Sequence, residues 1–546
     1  MSSEAPIPTV GTRDQSAAHT IASSPVVWLS TLLGVGFLLI LITNSWVVDD
    51  AYITFRTVNN VLNGYGPTWN TAERVQAYSH PLWMMLITSV VAFTGEFFFT
   101  SIFVSVTLTL TAAALAAVWL TDQFRSTLWK VPLLLIALIA SKAVIDFSSS
   151  GLEYPLSYLL VSLFLLSTFS ARPFASPWRP MSFGVLIASL AFLTRPDTLV
   201  IYLPCLILLA TRRGPGVGQR AISVALWSSP ASLWVAFSLL YYGYPLPNTA
   251  YAKSLCTGYP SHWVFARGVE YAFNSMSWDL ASHLMFGISA VLAWREPRMR
   301  AIVLGVLSYY LLVVTGLAAT THMSGRHFAI PFFLAIVVGV RMVPNKKSAT
   351  IAGCVLGLYV AWSPVSALKF GTGAYQPYPQ DPSFIDTKFA AYTASGALLS
   401  ASLTHPLEDD PWFSAGLQLR YVQTRRARVI AEAIGFTGFA AGSRPFIIDQ
   451  LGLSDPFLSR LTAAIPPDRG QWKSGHFARP IPRGYQESVE ANANVLVDPF
   501  LKQRYDLVRS ITRGELLDLQ RLKNIWEVNS GKYGGKWGRA CFDNRR

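Results

Sequence analysis

Two adjacent carboxylates, Asp49 and Asp50, stand where the first long apolar run of the chain stops. Ionisable groups at a membrane edge cost about 3 kcal/mol or more on insertion scales, so they are usually paired or functional. One chemistry that needs such groups is sugar transfer: a carboxylate near the anomeric carbon serves either as base to an incoming hydroxyl or as nucleophile. Its neighbour can then hold a cation, a hydroxyl or a basic side chain. The structural alternative is a cap, in which either aspartate opens a helix starting near Ala51 and accepts from its free backbone N–H groups. Residue types alone leave these two readings level.

Past the pair, Tyr52, Phe55 and Arg56 recur on one helical face with Asn59 and Asn60, until NGYG breaks the periodicity. Such a face suits a helix lying flat at an interface, aromatic side towards lipid and polar side towards a cavity. Tyr78-Ser79-His80-Pro81-Leu82-Trp83 opens the next apolar run, with Pro81 suited to a first helical turn. His80 could donate to a phosphate or a sugar, or serve only as a structural residue at a helix start. His283 and His322 have no nearby ligand partners in sequence and read as structural.

The elements that must position these groups are set by composition. Of 546 residues, 52% are hydrophobic and 14% charged, and charges are missing from run after run. A span of the ~30 Å hydrocarbon core needs about 20 apolar residues. Candidate spans are residues 26–44, one crossing within 80–120, then 131–145, 153–170, 181–195, 197–211, 220–241, 279–295, 301–320, 327–343 and 349–366. The fold class expected is therefore a polytopic α-helical membrane protein. Loops 121–130, 171–180, 211–220, 295–300 and 341–347 are all basic, and neighbouring ones enclose two spans, so all five can be cytoplasmic together. That parity allows one crossing within 80–120, the other apolar run there being a half-span or an interfacial helix. About eleven crossings follow, with the amino terminus inside and the carboxyl terminus outside.

The net charge of +14 is thereby a matter of topology, and no nucleic-acid partner is expected. Residues 1–25 are polar and read as a disordered cytoplasmic tail; no cleavage signal is evident, so the first run is expected to be a retained helix. Residues 26–366 form the membrane domain, with loop 45–79 on its outer face. Residues 367–546 change character: hydrophobic runs shorten to strand length (FIIDQLGL, ANVLVDP) and helical periodicity spans about 417–434. They read as one soluble mixed α/β domain on the outer surface. Cys256 and Cys541 both fall outside the spans, where an oxidising compartment permits a disulfide; two separate thiols are the alternative. Cys205 and Cys354 fall in apolar runs. The basic run Arg425 to Arg428 reads as a solvated helix face or a headgroup contact.

Several ordered motifs carry a resemblance. DDAYITFR, NGYGPTWN and ERVQAYSHPLW in the first loop, then LTRPD (from Leu193), PNTAYAKS (from Pro247), GRHF (from Gly325), DQLGLSDP (from Asp449) and GHFARPIPRGY (from Gly475), are similar to those of actinobacterial GT-C arabinofuranosyltransferases of the cell wall. The resemblance runs from about residue 26 to the carboxyl terminus. It implies a GT-C membrane fold, a decaprenyl-phospho-arabinofuranose donor, and an acceptor at the non-reducing end of arabinan in arabinogalactan and lipoarabinomannan. Terminal β-(1→2) linkages with net retention are implied, as is catalysis by Asp49 or Asp50 on the extracytoplasmic face of the plasma membrane.

An anionic phosphate at the lipid boundary would be met by basic groups on that face: Arg56, Arg195, Lys253, Arg326 and His327, with His80 beside them. Each has a structural alternative: Arg195 can pair with Asp197, Arg326 can snorkel to headgroups, and Lys253 or His327 can be surface residues. Tyr52, Trp472, His476 and Tyr485 are the acceptor candidates, since aromatic faces stack on sugars. Asp449, Asp455 and Arg479 accompany them. For most of this outer group the plainer reading, a turn-rich segment held by ordinary contacts, is favoured. No cofactor is required, but a divalent cation held by Asp49 and Asp50 stays an open alternative. Other open alternatives are a mannosyl or other pentosyl transferase on the same lipid carrier, and a lipid or solute transporter. Transporters tend to carry paired repeats, and none stands out here. A reporter active only in the cytoplasm, fused to the carboxyl terminus, is expected to be silent; an active fusion would overturn the crossing count.

Overall fold

The computed structural model describes residues 25–121, 127–170, 179–211, 216–377, 383–400, 406–407, 409–421, 427–430, 432–533 and 541–542. The expected amino-terminal tail, the loop arginines Arg125, Arg172, Arg212 and Arg213, and Arg425 and Arg426 of the basic run lie outside these residues.

Helices dominate. Among the described residues three are long and apolar enough to cross a membrane by length and composition: Pro25–Thr43, Phe98–Thr121 and Pro297–Thr315. Two bent pairs meet the same test jointly, Val217–Trp227 with Ser229–Tyr241 at 53°, and Ser261–Trp278 with Leu280–Ala293 at 106°. Shorter apolar helices such as Pro81–Thr94 and Tyr154–Phe169 pack among them. Within 80–120 the two apolar runs form a 14-residue and a 24-residue helix. The first rises only about 21 Å, short of a full hydrocarbon core. Gly95, at φ +68°, ends it in the left-handed region. Glu96 then accepts from the backbone N–H groups of Phe98 and Thr100, opening the second.

Two expectations about helices need correction. Residues 220–241 are not one continuous span: the chain breaks at Ser228, where Pro230 in the first turn of the next helix supplies no N–H. The stretch 242–278 is not all loop, because Ser261–Trp278 is an 18-residue helix ended at Asp279, whose side chain caps the following helix at Ser282. The basic loops around residues 130 and 341 do share one end of the bundle. Lys130 Nζ donates to the Arg341 carbonyl, and Arg341 donates to that of Trp119.

The carboxyl-terminal third holds less β-structure than its sequence suggests. Among the described residues its sheet is two three-residue parallel strands, Arg428–Ile430 beside Ile447–Asp449. ANVLVDP is not a strand; Asp498 in it caps the Pro499–Arg513 helix at Phe500 and Leu501. The periodicity near 417–434 resolves into two helices, Pro411–Tyr421 and Ile434–Ala441, with the first strand between them.

This region is stitched to the helical bundle by buried polar contacts. Lys388 pairs with Asp146 at 2.5 Å, and Lys142 contacts both Asp146 and Asp386, so two cations and two anions neutralise one another. Asn248 of PNTAYAKS donates to the carbonyls of Gly452, Leu453 and Asp455 and accepts from Ser459 and Arg460. A disulfide joins Cys256 to Cys541 across 285 residues of sequence. Removing one partner of a buried ion pair leaves an uncompensated charge, typically at about 3–5 kcal/mol. Lys388→Met should therefore lower the unfolding midpoint of the detergent-purified protein markedly, whereas the same change at exposed Lys502 should leave it unmoved.

Candidate functional site

The first outer loop folds as the helix Asp49–Leu62, which carries both aspartates in its first turn. Neither caps its own helix. Asp49 reaches across to another: its Oδ1 accepts from the Phe436 N–H at 2.6 Å and its Oδ2 from that of Gly435 at 3.3 Å. Those amides open the helix Ile434–Ala441. The two helices meet closely because Gly435 and Gly438 lack side chains: a Cβ on Gly435 would lie 1.9 Å from the Asp49 carbonyl oxygen. Burial pushes the Asp49 carboxyl up to about 7, against the lowering pull of the Phe436 amide.

Asp50 faces the other way, and its Oδ2 accepts from Arg326 Nη1 at 2.7 Å. Burial alone would raise this carboxyl. Lys253 and Arg326 reverse that and hold it well below the ordinary carboxylate range.

Beyond the pair lies a cavity of about 240 Å³, walled by Asp50, His80, Glu153, Arg195, Lys253, Arg326 and His327 among others. Arg195 organises its floor. The guanidinium meets Glu153 Oε1 at 3.0 Å, grips Asp197 through Nη2 (2.7 Å) and Nε (3.3 Å), and donates to the Tyr154 hydroxyl. Tyr154 also accepts from Arg326 Nε at 3.3 Å, so one phenol links both arginines. Tyr309 donates to Asp197 at 2.6 Å. His80 stands 3.1 Å from Glu153 Oε2 on one side and 2.7 Å from the Thr54 hydroxyl on the other. Glu153 thus lies between His80 and Arg195. His327 lies 3.2 Å from Arg195 Nη2, so Nδ1 is the acceptor.

Lys253 is the basic group left over. It sits in the π-helical turn Tyr251–Leu255, just after the Asn248 anchor, and among the described residues no carboxylate lies within ion-pair distance of it. Burial lowers its ammonium, with Asp50 partly restoring it.

A second cavity, about 410 Å³, lies on the far side of Asp50. The two share Asp50, Lys253, Thr321, Arg326 and Leu453. Its remaining wall includes Asp49, Asp410, Trp412, Glu432, Lys473 and the rings of His322 and His476, whose centroids are 4.9 Å apart. Burial lowers His322 to about 3 and His476 to about 4, so both rings are neutral near pH 7.

Of the residues expected to act together, Asp50, His80, Arg195, Lys253, Arg326 and His327 line the first cavity, and Asp49 and His476 the second. Four line neither. Arg56 gives its guanidinium to the carbonyls of Trp69, Gly438 and Pro445 and stacks on Trp69, which fastens helix 434–441 rather than a ligand. Tyr52 is enclosed by Phe55, Phe436 and Phe439. Trp472 packs on Tyr259 and Phe477, and Tyr485 donates to Asp455. Asp449 and Arg479 bond backbone groups, and Asp455 accepts from the Phe457 and Leu458 amides beside the Tyr485 hydroxyl.

Sequence inspection passed over Glu153 and Tyr154, whose signal was a carboxylate directly before an apolar run, and took His322 as structural although it forms cavity wall. The Arg195–Asp197 pair is real, yet it belongs to the cavity. Asp49 and Asp50 hold different partners, and among the described residues no group of three or more His, Cys, Asp or Glu is placed to hold a metal ion.

No family model matches the chain. The curated proteins it is similar to are arabinofuranosyltransferases, which bears out the resemblance carried by the motifs. One, from Corynebacterium glutamicum, is named terminal beta-(1->2)-arabinofuranosyltransferase and is 29% identical over 341 residues, covering 55% of this chain and 48% of that protein. Another, of the same name from Mycobacterium tuberculosis, is 28% identical over 220 residues, covering 38% and 35%. The chain thus spans about half the length of the first of these relatives, and less of the second. Among solved structures, the crystal structure of ArnT from Cupriavidus metallidurans bound to undecaprenyl phosphate aligns over 79% of this chain and 76% of that one, with a TM-score of 0.44 and 13% identity.

The Asp49 environment predicts a pH signature. Its carboxyl is raised from 3.8 to about 7 in the fold, so the folded state binds the proton more tightly and stability falls as pH rises from about 4 to about 7. Asp49→Asn keeps an oxygen for the Phe436 amide and removes that fall. The difference between wild-type and variant unfolding free energies should shrink towards pH 4 and grow by up to about 4 kcal/mol at pH 7, in favour of Asn.

Proposed function

We propose that this chain is a membrane glycosyltransferase that moves arabinofuranose from decaprenyl-phospho-arabinofuranose to the non-reducing end of cell-wall arabinan, forming terminal β-(1→2) linkages. One observation carries this reading: Asp50 and Arg326 stand on the wall shared by two cavities. A transferase needs such an arrangement, in which donor and acceptor meet at one carboxylate from opposite sides. The names of the curated relatives support the sugar and the linkage.

The smaller cavity takes the donor. Lys253, unpaired at its edge, and Arg326 receive the phosphate, and Arg195 with His327 shapes the floor beneath it. The larger cavity takes the acceptor: Trp412 offers a stacking face, while Asp410, Glu432 and the neutral rings of His322 and His476 offer bonds to hydroxyls. The bond between the anomeric carbon and the phosphate oxygen breaks, the polyprenyl phosphate departs, and the acceptor oxygen takes its place.

Asp50, held ionised by two cations, is a weak base. Its role is that of a carboxylate facing the positive charge that develops at the anomeric carbon, as nucleophile or as ion-pair partner, while the departing phosphate takes the acceptor's proton. Both routes accommodate retention. The membrane arrangement that goes with this is the GT-C one: about eleven crossings, with both cavities and the carboxyl-terminal region on the extracytoplasmic face of the plasma membrane. The Cys256–Cys541 disulfide fits the oxidising side.

Assay of the purified protein with polyprenyl-phospho-arabinofuranose and an arabinan oligosaccharide tests the reading. Asp50→Ala should lower kcat by roughly a thousandfold or more, on the scale of other electrostatic catalytic groups. Lys253→Ala should raise KM for the donor, and Trp412→Ala KM for the acceptor, each by roughly tenfold with little effect on the other substrate. A folded Asp50→Ala enzyme that turns over at near the wild-type rate would defeat the proposal.

A further inference from the structure

The last helical hairpin of the chain carries an apolar surface that the transfer reaction does not use. Helix Leu519–Ser530 buries one face, through Ile525 and Val528, against Ile511, Leu507 and Tyr244. Its opposite side exposes two large apolar residues on either side of Lys523: Leu519 is 83% exposed and Trp526 75%, and the preceding turn adds Leu517 at 73% and Leu516 at 39%. Scattered exposed apolar residues need no explanation, but three leucines and a tryptophan exposed between residues 516 and 526, with Asp518, Gln520 and Lys523 among them, make an amphipathic surface of the kind that marks an interaction.

The attachment of this helix says what covers that surface. Arg521 is fully buried and donates to the carbonyls of Ile511, Leu516 and Tyr241, and Asn529 donates to that of Gly243. Tyr241 ends the bent apolar pair Val217–Tyr241, whose outward residues Ile222, Leu226, Leu233 and Leu240 are exposed along its length. The hairpin is therefore fastened to the carboxyl end of an apolar helix pair that carries an exposed apolar flank. Exposed Lys523 lies one turn from both Leu519 and Trp526. A tryptophan flanked by lysine at the level of helix ends suits the headgroup boundary, where the ring keeps its body in the acyl region and the ammonium reaches phosphates.

We propose that the segment Leu516–Ser530 is an interfacial anchor: Leu516, Leu517, Leu519 and Trp526 insert into the outer boundary of the same bilayer, with Lys523 at the phosphate level. The contact holds the carboxyl-terminal region down against the membrane surface, beside the loop that carries Lys253. This rests on the chain being a membrane protein and not on the transferase assignment, and no activity measurement enters its test.

Nitroxide labels at Leu517→Cys and at Trp526→Cys, each in a Cys354→Ser background, are placed in the full chain reconstituted in nanodiscs containing phosphatidylglycerol, with Lys502→Cys as the aqueous control. At 517 and 526, collisions with oxygen should exceed those with a water-soluble nickel chelate several-fold, and the order should reverse at 502. Equal chelate access at all three positions would mean an open aqueous face and overturn the proposal. Exclusion of both reagents at 517 and 526 would mean a protein cover, such as a second copy of the chain, and would overturn it equally.

Discussion

Charge held at the edge of an apolar bundle is the constraint on which the rest of the structure depends. Asp50 and Arg326 are joined through Tyr154 to Arg195, and through Arg195 to Glu153, Asp197 and His327. The carboxylates and guanidinia among them would not stay ionised there alone. Each is held by an opposite charge, with the Tyr154 hydroxyl and the His327 ring accepting from the arginines, so the network is a single unit whose members come from four separate stretches of chain. Lys253 is the exception: half-buried at the rim of a cavity, with no carboxylate within ion-pair distance among the described residues, its ammonium has the right chemistry for an anionic ligand.

The two neighbouring aspartates show how environment separates identical side chains. Asp49 meets backbone amides and is pushed up to about 7, while Asp50 meets Arg326 and Lys253 and is driven down. The first ties helix 49–62 to helix 434–441; the second faces both cavities. With Asp49 and Arg326 both engaged, the first turn of the helix is held at two points and Asp50 is kept on the shared wall. Arg56, on the same helix, works with Asp49 by holding the carbonyls at the far end of helix 434–441.

The carboxyl-terminal third is joined to the helical bundle at several buried points. The four-charge cluster around Asp146, the Asn248 anchor and the disulfide each join it to the helical bundle, and its residues make up much of the second cavity's wall. Short strands suffice there because helices and turns build the region's own core around Phe457, Tyr485 and Tyr505, and other apolar residues pack on the bundle.

The apolar runs, the polar first loop and the motif residues Asp50, Arg195, Lys253 and Arg326 were legible in the sequence, since hydropathy period and costly charges are local properties. Resemblance added the sugar chemistry for the same reason: motifs are contiguous. What sequence could not decide was which residues converge. Arg56, Tyr52, Trp472 and Tyr485 have the right chemical types for a sugar site, yet each finds its partners inside the packing. Glu153 and His322 lack motif character and are cavity walls, and Tyr154, equally without it, links Arg195 to Arg326. The sequence by itself determined which residues cannot be placed in lipid without a partner. Only the tertiary structure decided who the partner is, because pairing across 276 residues, as between Asp50 and Arg326, depends on how helices stack and has no signature in either neighbourhood.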